Sequence, residues 1–122
     1  RLTLRFERYK FSLSHPLVED TVMLFAIYCI DKLNASALRA KLRPPHVEYL
    51  KTQNDIIVLA GATQTDDGEI ATGSMFVVNV NSREQAEAFA KEDPFNSGGL
   101  FEKVVVTRMR KGHWHPENGD KA

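Results

Sequence analysis

Only one cysteine, Cys29, stands among the 122 residues, so no disulfide can form within the chain. It sits inside the run Leu24-Phe25-Ala26-Ile27-Tyr28-Cys29-Ile30, where it reads as a small apolar packing residue. No sequence neighbour activates the thiol, which argues against a nucleophilic role. Net charge is missing too: 16 Lys and Arg cancel 16 Asp and Glu, leaving no overall field to gather nucleic acid or an anionic membrane surface. Long hydrophobic runs are absent, since none approaches the roughly 18 to 20 unbroken apolar residues of a membrane helix. The amino-terminal stretch lacks the apolar centre of a secretory signal. No glycine-rich nucleotide motif and no H-E-x-x-H occurs, which disfavours nucleotide and zinc-protease chemistry. A cytoplasmic protein without nucleic-acid or membrane partners is therefore expected, with any partner recognised locally.

What is present suits one globular domain with one core, because 43% of the residues are apolar and 26% charged. The first 22 residues read differently from the rest. They mix Arg, Glu, Lys, Ser and aromatics, and Met23 stands directly before the first strongly apolar run. Residues 1–22 are read as a translated leader or an extension added in cloning, with Met23 as the natural start. Two alternatives remain: an extra strand, since Leu2-Thr3-Leu4-Arg5-Phe6 alternates with period 2, or a targeting peptide, against which Glu7, Glu19 and Asp20 count.

From Met23 onward the pattern gives alternating element types. Met23 to Ile30 is too continuously apolar for a half-solvated strand and is expected to be central. Asn34 is expected to cap a helix beginning at Ala35, with Leu38 and Leu42 on one face. Arg43-Pro44-Pro45 should kink or restart that helix before it continues through His46 to Gln53. Asp55 to Ala62 and Ile70 to Val80 form two strands around the turn-forming Asp67-Gly68, with Gly73-Ser74 marking a bulge or a close backbone approach. Ser82-x-x-Gln85 has the form of a capping box, and Ala86, Phe89 and Ala90 give the second helix a narrow apolar stripe. Asp93-Pro94 ends that helix, Asn96-Ser97-Gly98-Gly99 is read as a flexible loop, and Leu100 to Met109 supplies the last strand. The tail 111–122 is polar and expected to fray.

The order βαββαβ is the split βαβ arrangement of an α+β, ferredoxin-like antiparallel sheet with both helices on one face. All four strands carry apolar runs, so the opposite sheet face needs a cover, and a homodimer packed sheet to sheet supplies one.

Few residues are placed to carry chemistry. His46, with Tyr49 and Leu50 one turn on, points inward; a hydrogen-bonded core histidine is the plain alternative to a functional one. Arg43, three residues earlier on the same side, suits an anionic oxygen beside the imidazole, or is simply a surface arginine. Asp93 closes a helix where the dipole is unfavourable to an acid, so it needs a cation or a donor such as His46, unless it merely accepts local turn hydrogen bonds. His113-x-His115 lacks further ligands at zinc spacing, so no metal is called for. Trp114, between them, is expected to pack on the core.

Several segments taken together resemble the YciI-like, or YCII-related, family: Met23 to Lys32, then Arg43-Pro44-Pro45-His46-Val47-Glu48-Tyr49-Leu50, Gly73-Ser74, Asp93-Pro94-Phe95 and Gly98-Gly99-Leu100-Phe101-Glu102. The similarity covers residues 23–110; the extension before Met23 and the histidine-containing tail depart from it. The resemblance implies a dimeric α/β barrel, of higher order in some cases, with a His–Asp pair in a pocket. That pair falls on His46 and Asp93. It also implies a cofactor-independent enzyme moving a proton on a small aromatic or hydroxylated substrate, by lyase or dehydrochlorinase-like chemistry. Arg43, Gly73, Ser74 and Phe95 would bind the substrate. A non-catalytic small-molecule-binding or regulatory dimer is the competing class, and cofactor-free oxygenation a third.

Overall fold

In a computed structural model, residues 23–122 are described. The strand, leader and targeting readings of the preceding segment lie outside the described residues. The described residues run in the order β1 (Met23–Asp31), α1 (Ser36–Lys51), β2 (Ile57–Gln64), β3 (Ala71–Val80), α2 (Arg83–Glu92), a short α3 (Pro94–Ser97) and β4 (Phe101–Met109). The sheet order is β2-β3-β1-β4, with every adjacent pair antiparallel. This is the expected α+β, ferredoxin-like sheet. Among the described residues, no helix is long and apolar enough to cross a membrane.

Period-2 alternation divides the sheet into two faces. Phe25, Ile27 and Cys29 of β1 and Phe76, Val78 and Val80 of β3 point to the helices and are buried. They meet Ala86, Phe89 and Ala90, the stripe expected on α2. Leu38, Leu42, Tyr49 and Leu50 of α1 close the same core, and the Tyr49 hydroxyl donates to the Phe89 carbonyl at 2.9 Å, tying α1 to α2. On the other face Tyr28, Ile30, Leu59, Met75, Val105 and Met109 are all exposed.

Several local expectations need correction. Ala35, not Asn34, occupies the position before α1; Asn34 sits in the preceding turn with φ 55, a left-handed geometry its short polar side chain tolerates. The helix is a single piece running through Pro44 and Pro45. Each proline lacks an N–H, so the carbonyls four residues back, on Ala40 and Lys41, lose their intrahelical donors. The fixed proline φ is nevertheless helical, and the buried His46 with Tyr49 and Leu50 anchors the turn that follows.

The capping box forms: Ser82 Oγ accepts from the Gln85 amide at 3.2 Å, and Gln85 Oε1 accepts from the Asn81 amide at 2.8 Å. Asn96-Ser97-Gly98-Gly99 is not a flexible loop. It completes α3, whose end is locked by Gly99 N–H to Asn96 O and Leu100 N–H to Phe95 O, both at 3.0 Å. That pair of bonds is a Schellman closure, and Gly99, with φ 85, supplies the left-handed residue it requires. The tail carries a 3₁₀ helix at Pro116–Lys121, with none of it buried. Trp114 does not join the core. It is half-exposed and helps line a groove of about 430 Å³ on the outer sheet face, beside Leu24, Val77 and Met109.

Candidate functional site

Where α1 crosses β2 and β3, the strand opposite the helix carries only small residues, Ala60, Gly61 and Ala62. That leaves a cavity of about 210 Å³ between helix and sheet. Its polar wall consists of Arg39, Arg43 and His46 from α1 and Ser74 from β3; its apolar wall includes Val47, Leu50, Phe76 and Phe95. The three α1 residues recur at i, i+4 and i+7, which puts them on one helix face. Only His46 and Arg43 were picked out from the sequence. Arg39 was missed, although extending the Arg43–His46 face by one more turn reaches it.

His46 and Asp93 meet. His46 Nδ1 lies 2.7 Å from Asp93 Oδ1, the carboxylate almost wholly buried at 1% exposure and the imidazole at 11%. An ionised carboxylate only accepts, so Nδ1 is the donor in this contact, and in the neutral imidazole Nε2 then keeps its lone pair. Nε2 has no protein partner among the described residues, and His46 lines the cavity. The imidazole is also fixed in plane, stacked on the Phe95 ring with centroids 3.8 Å apart and 13° between planes. A histidine held on both its edge and its face can present one basic nitrogen in one direction.

Asp93 sits at the carboxyl end of α2, as expected, and His46 is the donor that compensates the acid there. Asp93 follows α2 but heads α3, with Pro94 in the first helical position, and its Oδ1 also accepts the Phe95 amide at 2.9 Å. The amide at the start of α3 thus joins His46 as a second donor, and the two offset the unfavourable end of α2. Only this second role is not legible in the sequence, where the segment of α3 reads as a loop. Asp93 Oδ2 is buried without a hydrogen-bond partner among the described residues.

Arg39 organises the opposite side. Its Nε and Nη2 donate to Asp31 Oδ2 and Oδ1 at 2.8 and 3.1 Å, and Nη2 also donates to the Gly73 carbonyl at 2.7 Å and to Ser74 Oγ at 3.1 Å. Its guanidinium lies over the Phe95 ring, 4.6 Å from the centroid. Gly73 does not line the cavity; it enters the site through that carbonyl. A Cβ on Gly73 would run into the Cys29 carbonyl, so this glycine allows β1 and β3 to close up beside the site. Phe95, Arg43 and Ser74 all line the cavity. Among the described residues, no carboxylate pairs with Arg43.

Cys29 lies on the helix-facing side of β1 and is buried. Burial pushes its thiol up to about 12, with Asp93 and Asp31 adding to the effect and Arg39 opposing it. A thiol held protonated is a packing group. Among the described residues, no cluster of three His, Cys, Asp or Glu side chains suits a metal ion, and His115 instead contacts Glu117 at 3.2 Å.

Comparison with known proteins places these features in a family. A model of the YCII-related domain matches residues 23–110. Protein YciI of Escherichia coli O6:H1 (strain CFT073) is 33% identical over 96 residues, which are 73% of this chain and 98% of that protein. Protein YciI of Shigella flexneri matches with the same identity and coverage. Among solved structures, the 5-chloro-2-hydroxyhydroquinone dehydrochlorinase (TftG) from Burkholderia phenoliruptrix AC1100, in complex with 2,5-dihydroxybenzoquinone, superposes with a TM-score of 0.69 at 30% identity. That match covers 74% of this chain and 96% of the dehydrochlorinase.

Proposed function

The chain belongs to the YCII-related domain family, and from that premise we propose that its cavity is an active site in which His46, oriented by Asp93, moves a proton on a small oxygen-bearing substrate. The observation that carries this reading is the 2.7 Å contact between His46 Nδ1 and Asp93 Oδ1, which leaves Nε2 as the base on the cavity wall. Asp93 stabilises the imidazolium once the proton has been taken, and the Phe95 stack keeps the ring aimed. Arg43, without an acidic partner among the described residues, offers charge to an oxyanion as it develops. The volume, about 210 Å³, and the apolar wall suit one small ring.

The reaction class is lyase-like elimination, with dehydrochlorination of a hydroxylated aromatic as the model. A proton goes to His46 Nε2, the carbon–chlorine bond breaks and chloride leaves with its electron pair. The substrate therefore loses HCl overall, and the step balances without oxidant or cofactor. Chloride release from 5-chloro-2-hydroxyhydroquinone by the purified protein is the direct assay. His46→Ala is expected to abolish turnover while leaving the circular dichroism spectrum intact. Full activity in that variant would sink the proposal.

A homodimer belongs to the same reading. Tyr28, Ile30, Leu59, Met75, Val105 and Met109 form an exposed apolar sheet face that a second copy would cover, as expected for a dimeric α/β barrel. Light scattering after size exclusion tests it; a monomer at micromolar concentration would refute it.

A further inference from the structure

The hydrogen bonds around Ser74 contain a directional detail that the His46–Asp93 pair does not explain. Arg39 Nη2 lies 3.1 Å from Ser74 Oγ. A guanidinium can only donate, so at this contact the serine oxygen must accept. The hydroxyl proton is then free to point elsewhere, and among the described residues no acceptor takes it. Ser74 is 3% exposed, and the space its hydroxyl faces is the cavity that His46 and Arg43 also line. A buried hydroxyl does not leave its proton unused without cost. The arginine cannot easily turn away, because Asp31 grips it through two bonds and the Gly73 carbonyl takes a third at 2.7 Å.

We propose that Arg39 is a positioning residue that fixes Ser74 as a hydrogen-bond donor into the cavity, so that the site selects ligands presenting a hydrogen-bond acceptor, a carbonyl, phenol or phenolate oxygen, at that end. This rests on the reading of the cavity as the ligand site, and it adds the chemical polarity of what binds there. A group that offers mainly N–H donors meets the hydroxyl proton head-on and is excluded. The cost of such a mismatch is an unpaired buried donor, which sites of this kind convert into discrimination.

Two measurements test the inference, and the first needs no ligand. In a Ser74→Cys variant, the introduced thiol sits where Arg39 donates, so its thiolate is stabilised. The pH midpoint of its alkylation by iodoacetamide should lie at least one unit below that of the same thiol when Arg39→Gln is added. Cys29 does not interfere, because burial holds its thiol near 12. A midpoint indifferent to Arg39→Gln overturns the proposal.

The second compares 4-methylphenol with 4-methylaniline, near-isosteric rings with an oxygen or an amine at the polar end. The native protein should bind the phenol about tenfold more tightly, the size of one neutral hydrogen bond. Ser74→Ala and Arg39→Gln should each erase the preference. Equal binding of the two rings, no binding of either, or a preference that survives Ser74→Ala would overturn the proposal. Neither measurement involves His46. Loss of the acceptor preference with chloride release intact would fault only the present inference; an intact preference without turnover would fault only the proposed catalysis.

Discussion

Removing Asp93 should destabilise the fold by an amount set by the two donors it serves. In Asp93→Ala, His46 Nδ1–H and the Phe95 amide both lose the oxygen that now accepts them at 2.7 and 2.9 Å. The amide bond caps α3, and losing such a cap costs about 1 kcal/mol. A buried imidazole N–H left without an acceptor costs about 1–3 kcal/mol. Part of this is returned, because Asp93 Oδ2 is buried with no partner and its removal relieves that desolvation. A net loss of about 2–3 kcal/mol is expected. Urea unfolding followed by far-ultraviolet circular dichroism should show the midpoint falling by roughly 1–2 M with an unchanged slope. Asp93→Asn keeps an oxygen for both donors and should lose less than half as much. A double-mutant cycle with His46→Ala should return a coupling of about 1 kcal/mol or more, since the two side chains share one hydrogen bond. A loss under 0.5 kcal/mol in Asp93→Ala, or equal losses for Ala and Asn, would refute the assignment of Asp93 as a shared acceptor.

Other expectations follow from single features. Cys29 should resist iodoacetamide at pH 8 in the folded protein and react once urea unfolds the chain; rapid labelling without denaturant would contradict its burial. Stability should fall as pH rises from about 9 towards 12, because the unfolded thiol ionises from 9.0 while the folded one stays protonated to about 12. Tyr49 adds to the fall above 10, since burial first, and then Glu92 and Asp93, raise its hydroxyl to about 12. Urea midpoints across that range check the sign, and Cys29→Ala should flatten the lower part. Gly73→Ala should destabilise by about 2 kcal/mol or more, because its Cβ meets the Cys29 backbone rather than a movable side chain; a neutral result in thermal melts would mean that β1 and β3 are not so close. Met75→Glu, on the exposed sheet face, should weaken the proposed dimer in light scattering while leaving the helix-side core folded.

Legibility of the sequence differed by the kind of interaction involved. Features set by local spacing read correctly: the capping box at Ser82 and Gln85, the stripe of Ala86, Phe89 and Ala90, and the long apolar runs that become strands. Pro44 and Pro45 misled because a breaking tendency was weighed without the tertiary packing of His46, Tyr49 and Leu50 that overrides it. Asn34 looked like a cap by residue type, but it adopts a left-handed turn instead. Asp93 was legible through its misfit at the end of α2, which His46 compensates, whereas its second role as the cap of α3 was not. Arg39 escaped notice because its partners Asp31, Gly73 and Ser74 lie 8 to 35 residues away. Nothing but the fold brings them together.

The two loads on Asp93 Oδ1 have a wider consequence. The same oxygen receives the proton of His46 and the first amide of α3, so the bearing of the base is geared to the seating of a four-residue helix. Any substitution between Pro94 and Gly99 that tilts this turn should also swing the imidazole, without replacing either member of the pair. The segment thus acts as a set screw for the site, through which the direction that the imidazole faces can be adjusted while the chemical groups stay the same.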